Sequence, residues 1–325
     1  MFMPKVEWGG RARLPPSLQR VPGFGSAGAG TGSAITLFRC RLQRVPGFGS
    51  AGASPSHING SLVFMPNEVV QVKVVEPVGT IILARESRRN ALTRAMIDEL
   101  RQALSDLHLE RRVRAIVLTG AGTAFCAGRD VHELAEEAQQ SNAEQQWGAE
   151  AEQFRELLLD MLELPKPLIA AVNGPALAAG AGLVLACDIV IASQSARFGL
   201  PDPRLGVVAG VVAPLLAFRV GAGPAAWLLL TGEQYDAAEA YRLGIYHELV
   251  EHDLLWARGV EIGKSCAAGA PEAVQLTKRL LTETIGEQLS TQLTSGAIAS
   301  AASRTTEAAK EGFAAFLEKR RPEWK

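Results

Sequence analysis

The best candidates for chemistry on a carbonyl group are two turns rich in glycine and alanine. They are FCAGRD at 125–130 and NGPALAAGAG at 173–182. Each follows an apolar run and opens a predicted helix. Backbone N–H groups at a helix start have no partner within the helix and carry partial positive charge. Two such groups from separate turns, aimed at one point, can stabilise an oxyanion. The alternative is that small residues only allow tight packing of helix against sheet.

The elements around these turns are predicted to alternate between strand and helix. Strands are expected at 69–75, 80–85, 113–120, 167–172, 188–193 and 246–250, and helices at 93–109, 148–163, 271–285 and 305–320. In the first helix, the apolar residues with helical spacing are Met96, Leu100, Leu104 and Leu107. The continuous apolar run VRAIVLTG is typical of a strand covered on both faces. This order of elements predicts an α/β protein with a helical C-terminal part.

The composition narrows the possible classes of function. The 325 residues are 47% hydrophobic and have a formal net charge of −1, which gives no electrostatic basis for nucleic-acid binding. No apolar run reaches the ~20 residues that a membrane span requires. Cys40, Cys126, Cys187 and Cys266 form no CxxC pair and no metal-spaced cluster with histidine. We expect no metal, no membrane and no nucleic-acid partner, and buried free thiols in a reducing compartment.

Residues 1–64 differ from the rest of the chain in charge and pattern. They contain the segment LQRVPGFGSAGA twice, at 18–29 and 42–53, and carry a charge of about +6, whereas the remainder carries about −7. A basic, acid-poor start could be an organellar transit peptide. The alternative is a disordered or non-native extension, with Met65 as the functional start. We favour the second interpretation, and with it a cytoplasmic location over an organellar matrix.

Five motifs carry a resemblance to a known family: RNALT, AFCAGRD, AAVNGPALAAGAGLVLACDIVIAS, ARFGLPDPRLGVV and EGFAAFLEKRRPEW. In order and spacing they resemble the enoyl-CoA hydratase/isomerase, or crotonase, superfamily over residues 66–325. The resemblance implies an α/β spiral of ββα units at 65–260 and a C-terminal helical trimerisation region at 261–325. It also implies a homotrimer or homohexamer and an acyl-CoA substrate, with coenzyme A entering as part of that substrate and no separate cofactor.

The resemblance assigns roles to residues of both small-residue turns. The thioester oxygen would be held by the backbone amides of Arg129, directly after CAG, and Ala179, the second residue of the AAG triplet. Residues around Asn90 and Ala91 would lie along the coenzyme A moiety. The further residues expected at the binding site are Ala127, Gly128, Asp130, His132 and Gly180. Asp130 and Glu133 are expected to form a capping box.

The carboxylates of this superfamily are only partly present. Family hydratases use two glutamates; the first position is Gly182 here, and the second is Asp202, which is one methylene shorter. Shortening can misplace a catalytic oxygen by about 1 Å, which costs on the order of 10²-fold in rate. Asp202 is flanked by Pro201 and Pro203, which stiffen its loop; the alternative is an ordinary exposed turn residue.

No other side chain offers a firm replacement for the missing acid. His132 follows the first turn and could face the pocket, although a surface position is the alternative. The remaining acids near the first turn are expected to form a solvated helix face: Glu133, Glu136 and Glu137. Asp188, at the start of a strand, is interpreted as structural.

Three functions therefore remain open from the sequence. The first is an acyl-CoA enzyme of hydratase or isomerase type, in which Asp202 is the acid and base of an oxyanion-hole reaction. The second is another crotonase reaction, such as thioester hydrolysis or decarboxylation, that uses an unidentified group. The third is a non-catalytic protein that binds a coenzyme A thioester or RNA; the acidic body speaks against RNA.

Overall fold

The computed structural model describes residues 62–63 and 69–324, the side chains of 62–63 and 283–288 excepted. The described residues belong to one compact unit. Both copies of the repeat lie outside them, so the predicted extension remains a prediction. Leu62–Val63 precede Met65, yet they form a short strand on the edge of the sheet.

Two sheets organise the described chain. The strands, in chain order, are β1 (Leu62–Val63), β2 (Val70–Val75), β3 (Val78–Leu83), β4 (Ala115–Gly120), β5 (Leu168–Val172), β6 (Ala176–Leu177), β7 (Ile189–Ser193), β8 (Arg197–Gly199), β9 (Gln234–Asp236) and β10 (Glu248–Val250). The larger sheet has the order β1-β2-β3-β4-β5-β7-β10. Its first two pairings are antiparallel and the others are parallel. The smaller sheet has the order β6-β8-β9.

Helices follow most of the parallel strands and continue to the C-terminus. They are α1 (Arg94–Leu109), α2 (Val131–Glu137), α3 (Ala143–Glu163), α4 (Ala179–Leu185), α5 (Ala213–Val220), α6 (Ala222–Thr231), α7 (Ala237–Arg242), α8 (Leu255–Ala267), α9 (Pro271–Ser303) and α10 (Glu307–Glu318). A single 3-10 turn at Asp202–Leu205 matters for the site. None of these described helices combines the length and the apolar character that a membrane crossing needs. The predicted α/β class with a helical C-terminal part is confirmed.

The central strands are buried on both faces, as their apolar sequences predict. Ile116 and Leu118 of β4 pack into the main core with α1 and α3, whereas Val117 packs into a second cluster with Leu255 and Val260 of α8. Successive side chains of a strand point to opposite faces, so one strand contributes to both clusters. The sheet is thereby held between two helical layers.

The helix predicted at 93–109 illustrates how local sequence sets a boundary. The Thr93 hydroxyl accepts a hydrogen bond from the Met96 amide at 3.2 Å and caps α1. All four predicted apolar positions of this helix are buried. Capping and the apolar stripe agree here, and the prediction is confirmed.

Helix α9 runs far beyond the predicted end at 285. Its second half is rich in serine, threonine and glycine, which have weak helix propensity. The packing compensates, because Leu289 and Leu293 are buried and a Cβ on Gly296 would lie 2.1 Å from the Gly210 carbonyl oxygen. The expected division between 260 and 261 falls inside α8, so this position is not a boundary between structural elements.

An ion pair between a buried lysine and a partly exposed aspartate holds α9 against the sheet. Lys278 of α9 is 7% exposed, and its Nζ lies 2.7 Å from Asp188 Oδ2. The same carboxylate oxygen accepts a hydrogen bond from the Leu168 amide at 2.8 Å. Asp188 therefore joins β5, the start of β7 and α9, which agrees with its predicted structural role.

Replacing Asp188 with alanine should destabilise the fold, because it leaves the buried Lys278 ammonium without its counter-charge. We expect Asp188→Ala to lower the free energy of unfolding by about 2 kcal/mol, measured by urea denaturation. The matched control is Glu261→Ala, which removes the partner of Arg258 in an exposed ion pair of α8 and should change stability little. Equal effects of the two substitutions would contradict this assignment.

Candidate active site

The two small-residue turns lie side by side at the carboxyl ends of β4 and β5. The Cys126 amide donates to the Pro175 carbonyl at 3.1 Å, and the Leu177 amide donates to the Cys126 carbonyl at 3.0 Å. Cys126 and Ala176 form a parallel bridge. Three residues further along each segment, the chain reaches Arg129 and Ala179. The carboxyl edge of a parallel sheet is where α/β proteins commonly bind ligands.

Both proposed amide donors follow a residue with positive φ. Gly128, before Arg129, has a φ of 101°, and Ala178, before Ala179, has a φ of 50° with ψ −119°. Positive φ is strained for alanine, and such strain concentrates at functional sites. Since ψ of Ala178 orients the peptide that carries the Ala179 N–H, the strained residue directly sets the direction of that donor.

Close contact between the turns requires small side chains. A Cβ added to Gly128 would lie 2.8 Å from the Ala178 Cβ and 3.5 Å from the Ala179 nitrogen. Within the described chain, the Arg129 and Ala179 amides donate to no protein acceptor. Two neighbouring N–H groups are thus available to a ligand oxygen, as an oxyanion hole requires.

A cavity of about 740 Å³ lies beside these amides. It is lined by most of the residues predicted from the sequence: Ala91, Ala127, Arg129, Asp130, His132, Ala179 and Asp202. The predicted residues Asn90, Gly128 and Gly180 do not line it. A Cβ on Gly180 would lie 2.3 Å from the Cys126 carbonyl oxygen, so this glycine serves the contact between the turns.

Asn90 lies behind the cavity wall and not along it. Its side chain is fully buried, and its Nδ2 donates to the carbonyls of Ala121 and Ala124 at 2.9 and 2.8 Å. Its Oδ1 accepts from the Arg85 amide at 2.9 Å. All of these bonds are internal to the protein, so the Asn90 side chain holds the loops after β3 and β4 together.

Asp130 and His132 differ in how they meet the cavity. Asp130 is 4% exposed; its carboxylate accepts from the His132 amide at 3.0 Å and pairs with Arg85 at 2.7 Å. Burial alone would raise the pKa of Asp130, but the bonds from Arg85 and the His132 amide outweigh burial, so the pKa is lowered. The predicted capping box is half formed, because the Asp130 amide donates to the Leu92 carbonyl and not to Glu133. His132 lines the cavity but is exposed, at its rim.

Asp202 begins the 3-10 turn at Asp202–Leu205 and lines the cavity. Although the residue as a whole is partly exposed, its Oδ2 is buried and has no hydrogen-bond partner in the described chain. Burial raises the pKa of Asp202 to about 6, against the opposing charge of Arg304. An acid of this pKa can take up and release a proton near neutral pH, which suits general acid–base catalysis.

The position of the missing carboxylate is filled by hydrocarbon. A Cβ on Gly182 would lie 3.0 Å from Val212 Cγ2 and 3.1 Å from Phe154 Cζ. Phe154 and Val212 both line the cavity. A side chain at this position would require Val212 or Phe154 to shift by a few tenths of an ångström, and α4 contains no carboxylate that could take its place.

The sequence analysis missed a buried carboxylate, Glu150 on α3. It is 1% exposed, lines the cavity and pairs with Arg129 and Arg304. Two of the acids expected on a solvated face also turn inward. Glu137 is 6% exposed and pairs with Arg94 at 3.1 Å, and Glu133 lies 3.3 Å from Arg129. Burial raises the pKa of Glu137.

Cysteine chemistry and metal binding find no support at this site. Cys126 and Cys187 are buried free thiols, and burial raises the pKa of Cys126 to about 12. A thiol with such a pKa is a poor nucleophile at neutral pH. Among the residues that the structure describes, no group of three histidine, cysteine, aspartate or glutamate side chains is placed to bind a metal ion.

The known proteins that this chain resembles in sequence are enoyl-CoA hydratases and isomerases. The family model for enoyl-CoA hydratase/isomerase matches residues 74–325. A Thermus thermophilus protein provisionally named an enoyl-CoA hydratase is 40% identical over 245 residues, which cover 75% of this chain and 96% of that protein. The 2,3-dehydroadipyl-CoA hydratase of Escherichia coli is 33% identical, covering 75% and 94% of the two chains.

Solved structures agree with these relatives. The crystal structure of an enoyl-CoA hydratase/isomerase from Xanthobacter autotrophicus matches with a TM-score of 0.72 at 30% identity, covering 77% of this chain and 93% of that one. A structure of the same description from Pseudoalteromonas atlantica matches with a TM-score of 0.70 at 31% identity, covering 79% and 100%.

Enlarging Gly128 should disable the site. Gly128→Ala places a methyl group against Ala178 in a backbone conformation that disfavours alanine, so it should displace the neighbouring amides and lower kcat/KM on the order of 10²-fold. The control is Gly148→Ala on α3, where an added Cβ meets nothing within 4 Å. This control should keep full activity and gain up to about 1 kcal/mol in stability. Similar kinetics for both variants would contradict the role of the turn.

Proposed function

The chain belongs to the enoyl-CoA hydratase/isomerase family, and from that premise we propose that it isomerises the double bond of an enoyl-CoA thioester with Asp202 as its acid and base. The protein is an acyl-CoA-processing enzyme of hydratase/isomerase type. The observation that carries the finer proposal is the buried, unpartnered Asp202 oxygen in the cavity beside the two unpaired amides.

The two amides are proposed to receive the thioester oxygen. When a proton leaves C2 of the acyl chain, negative charge moves to this oxygen and an enolate forms. The N–H groups of Arg129 and Ala179 stabilise that charge as neutral donors already in place, so little reorganisation is needed. Their hydrogen bonds lower the free energy of the enolate more than that of the substrate, which is what catalysis requires.

Asp202 is proposed to carry the proton between two carbons. Its carboxylate takes a proton from C2 of a 3-enoyl-CoA, and the electron pair of the broken C–H bond enters a dienolate. The carboxylic acid then returns the proton to C4, and the double bond comes to rest between C2 and C3. One group suffices for both steps, and atoms and charge balance without water or a co-reactant.

Hydration is less well supported because it needs two polar groups at the double bond. One must activate water at C3 and the other must deliver a proton to C2. The position of the first, Gly182, faces Phe154 and Val212. Glu150 and Asp130 are the other carboxylates that line the cavity. Burial alone would raise the pKa of each, but Arg304 and Arg129 lower the pKa of Glu150, and Arg85 lowers that of Asp130. A carboxylate so neutralised is a weak base.

The remaining features of the enzyme are part of the same proposal. We expect coenzyme A to enter only as part of the substrate, with no separate cofactor. We expect a homotrimer or homohexamer, as the family resemblance implies, and a cytoplasmic location, since the relatives named above are bacterial. We expect no nucleic-acid or membrane partner.

Removing the Asp202 charge should abolish isomerisation. Asp202→Asn is expected to lower kcat on a 3-enoyl-CoA by at least about 10²-fold, while the substrate KM changes little, because the amides remain in place. The assay is incubation with 3-enoyl- and 2-enoyl-CoAs of several chain lengths, read by mass spectrometry and by the absorbance of the conjugated product. The control is Asp253→Asn, an exposed residue outside the cavity.

The products distinguish the competing reactions. An unchanged mass with a moved double bond supports isomerisation. A gain of one water would favour hydration, and a loss of carbon dioxide or of free coenzyme A would favour decarboxylation or hydrolysis. Full activity of Asp202→Asn on every substrate would reject Asp202 as the acid and base.

The raised pKa of Asp202 also predicts a dependence of stability on pH. The folded state holds this proton up to about pH 6, whereas an unfolded chain releases it near its ordinary pKa. The charged carboxylate therefore destabilises the folded state increasingly as pH rises through this interval. We expect Asp202→Asn to be more stable than the natural protein by up to about 3 kcal/mol near pH 8. This advantage should shrink toward pH 4 in urea denaturation series; an advantage that grows on acidification would contradict it.

A further inference from the structure

Glu150 forms buried ion pairs with two arginines at the cavity, and the isomerisation proposed above does not use it. Its Oε1 lies 2.6 Å from Arg129 Nε, and its Oε2 lies 2.8 Å from Arg304 Nη1. A second bond joins Arg304 Nη2 to Oε1 at 3.3 Å. The Arg129 contact is an ion pair without the alignment of a hydrogen bond. All three side chains are at most 8% exposed.

The partners of Glu150 come from the two sides of the site. Arg129 supplies one of the unpaired amides through its backbone, while its side chain reaches Glu150. Arg304 is the C-cap residue of α9, next to the α10 helix that packs against the Asp202 turn. One carboxylate on α3 thus connects the oxyanion turn to the C-terminal helices across the cavity.

We propose that Glu150 is a positioning residue, whose carboxylate holds the Arg129 turn and the Arg304 guanidinium in the places that the reaction needs. This inference rests on the proposed function, because it assumes that Arg129 and Asp202 take part in catalysis. Glu150 itself need not touch the substrate. Without it, two buried guanidinium groups would lose their shared counter-charge and would have to move or be hydrated.

The contact with Arg304 has an electrostatic consequence at Asp202. Arg304 is the cation that opposes the burial-induced rise in the Asp202 pKa. Because Glu150 pairs with Arg304 through both carboxylate oxygens, it neutralises much of this positive charge. Glu150 therefore helps keep Asp202 a stronger base than an unshielded Arg304 would allow.

The other charged groups near Asp202 and Glu150 are spread over the elements packed around them. The 3-10 turn itself carries Arg204, which is exposed, and α6 carries no charged residue. The charged or titratable residues of α10, of α2 and of the start of α1 are Glu307, Lys310, Glu311, Glu318, His132, Glu133, Glu136, Glu137 and Arg94. The other charged residues that line the cavity are Arg88, Arg89, Arg129, Asp130, Lys319 and Arg320. Those of α10 pair along the surface, and Glu137 pairs with Arg94. Among all these groups, Arg304 is the one whose charge lowers the pKa of Asp202, and Glu150 is the carboxylate that pairs with Arg304.

A merely structural ion pair would behave differently from a positioning pair. Loss of either partner would then destabilise the protein in the same way and leave the pKa of Asp202 unmoved. Asp188 and Lys278 form such a pair outside the cavity lining. Asp188→Ala is therefore the control: it should lower stability and leave the pH dependence of catalysis unchanged.

The decisive measurement is the acidic limb of the kcat/KM profile, which reports the pKa of the essential base in the free enzyme. Glu150→Gln leaves the Arg304 charge unopposed, so the midpoint should move to lower pH. Arg304→Met removes that charge, so the midpoint should move to higher pH. The double variant should return toward the natural midpoint. In Glu150→Gln we also expect kcat to fall on the order of 10-fold or more, with a smaller change in KM.

Arg304→Lys separates charge from geometry. It keeps the positive charge but cannot form the paired contact with both oxygens of Glu150. Its midpoint should stay near the natural one while kcat falls. If Glu150→Gln does not fold, as judged by circular dichroism and thermal melting, the comparison of Arg304→Met with Arg304→Lys decides the matter.

The outcomes distinguish this inference from the proposed function. If Asp202→Asn is inactive, two results would overturn the role of Glu150 alone. One is a shift of the midpoint in the same direction for Glu150→Gln and Arg304→Met. The other is no shift in Arg304→Met. An active Asp202→Asn would overturn the proposed function and with it the premise used here. Opposite shifts that cancel in the double variant would support the inference.

Discussion

The site depends on the parallel contact between the turns that follow β4 and β5. The bond from the Leu177 amide to the Cys126 carbonyl fixes their register, and Gly128 then lies against Ala178. At sequence level, tight packing and catalysis are competing reasons for so many small residues. In the structure, the two reasons coincide. The two amides can lie close together only if the turns are in contact, and the turns can be in contact only where their side chains are small.

Several groups around the cavity are left in states that folding alone disfavours. Ala178 has positive φ, the Arg129 and Ala179 amides have no protein acceptor, and Asp202 Oδ2 is buried without a partner. Such features each cost on the order of 1 to 3 kcal/mol, so the surroundings must stabilise them. The sheet buried between two helical layers and the internal bonds of Asn90 supply a rigid frame for them. Unfavourable groups gathered in one place within a stable frame are typical of a functional site, where the geometry needed for binding or catalysis is kept at the expense of local stability.

The sequence predicts what depends on local pattern and misses what depends on distant contacts. Six strands of the larger sheet and the helix beginning at Arg94 follow from apolar spacing, whereas β1 and the three short strands of the smaller sheet were not predicted. The glycine-rich turns mark the proposed oxyanion site. Glu150 could not be recognised, because AEAEQFRE reads as a solvated face and its partner Arg304 lies 154 residues away. The motif placed Asn90 near the ligand, but its φ of 55° and its buried amide bonds turn the side chain inward. The conformation of Ala178 had no signal at all, since alanine rarely adopts it.

Asp202 is the carboxylate of the cavity whose pKa is raised, whereas those of Asp130 and Glu150 are lowered, and one such acid favours a reaction that returns its own proton. Desolvation stabilises the neutral form of Asp202 relative to the charged form. In a proton shuttle, this neutral form is the state in which Asp202 carries the proton between the two carbons. In the proposed reaction, the enolate charge that forms at the same moment is stabilised by neutral amides, so no further ion has to enter the cavity. Hydration would instead require an ordered, activated water on the side where Phe154 and Val212 approach Gly182. That hydrocarbon surface offers such a water no hydrogen bonds. The absence of the first carboxylate and the apolar packing at its position therefore both disfavour hydration and favour isomerisation.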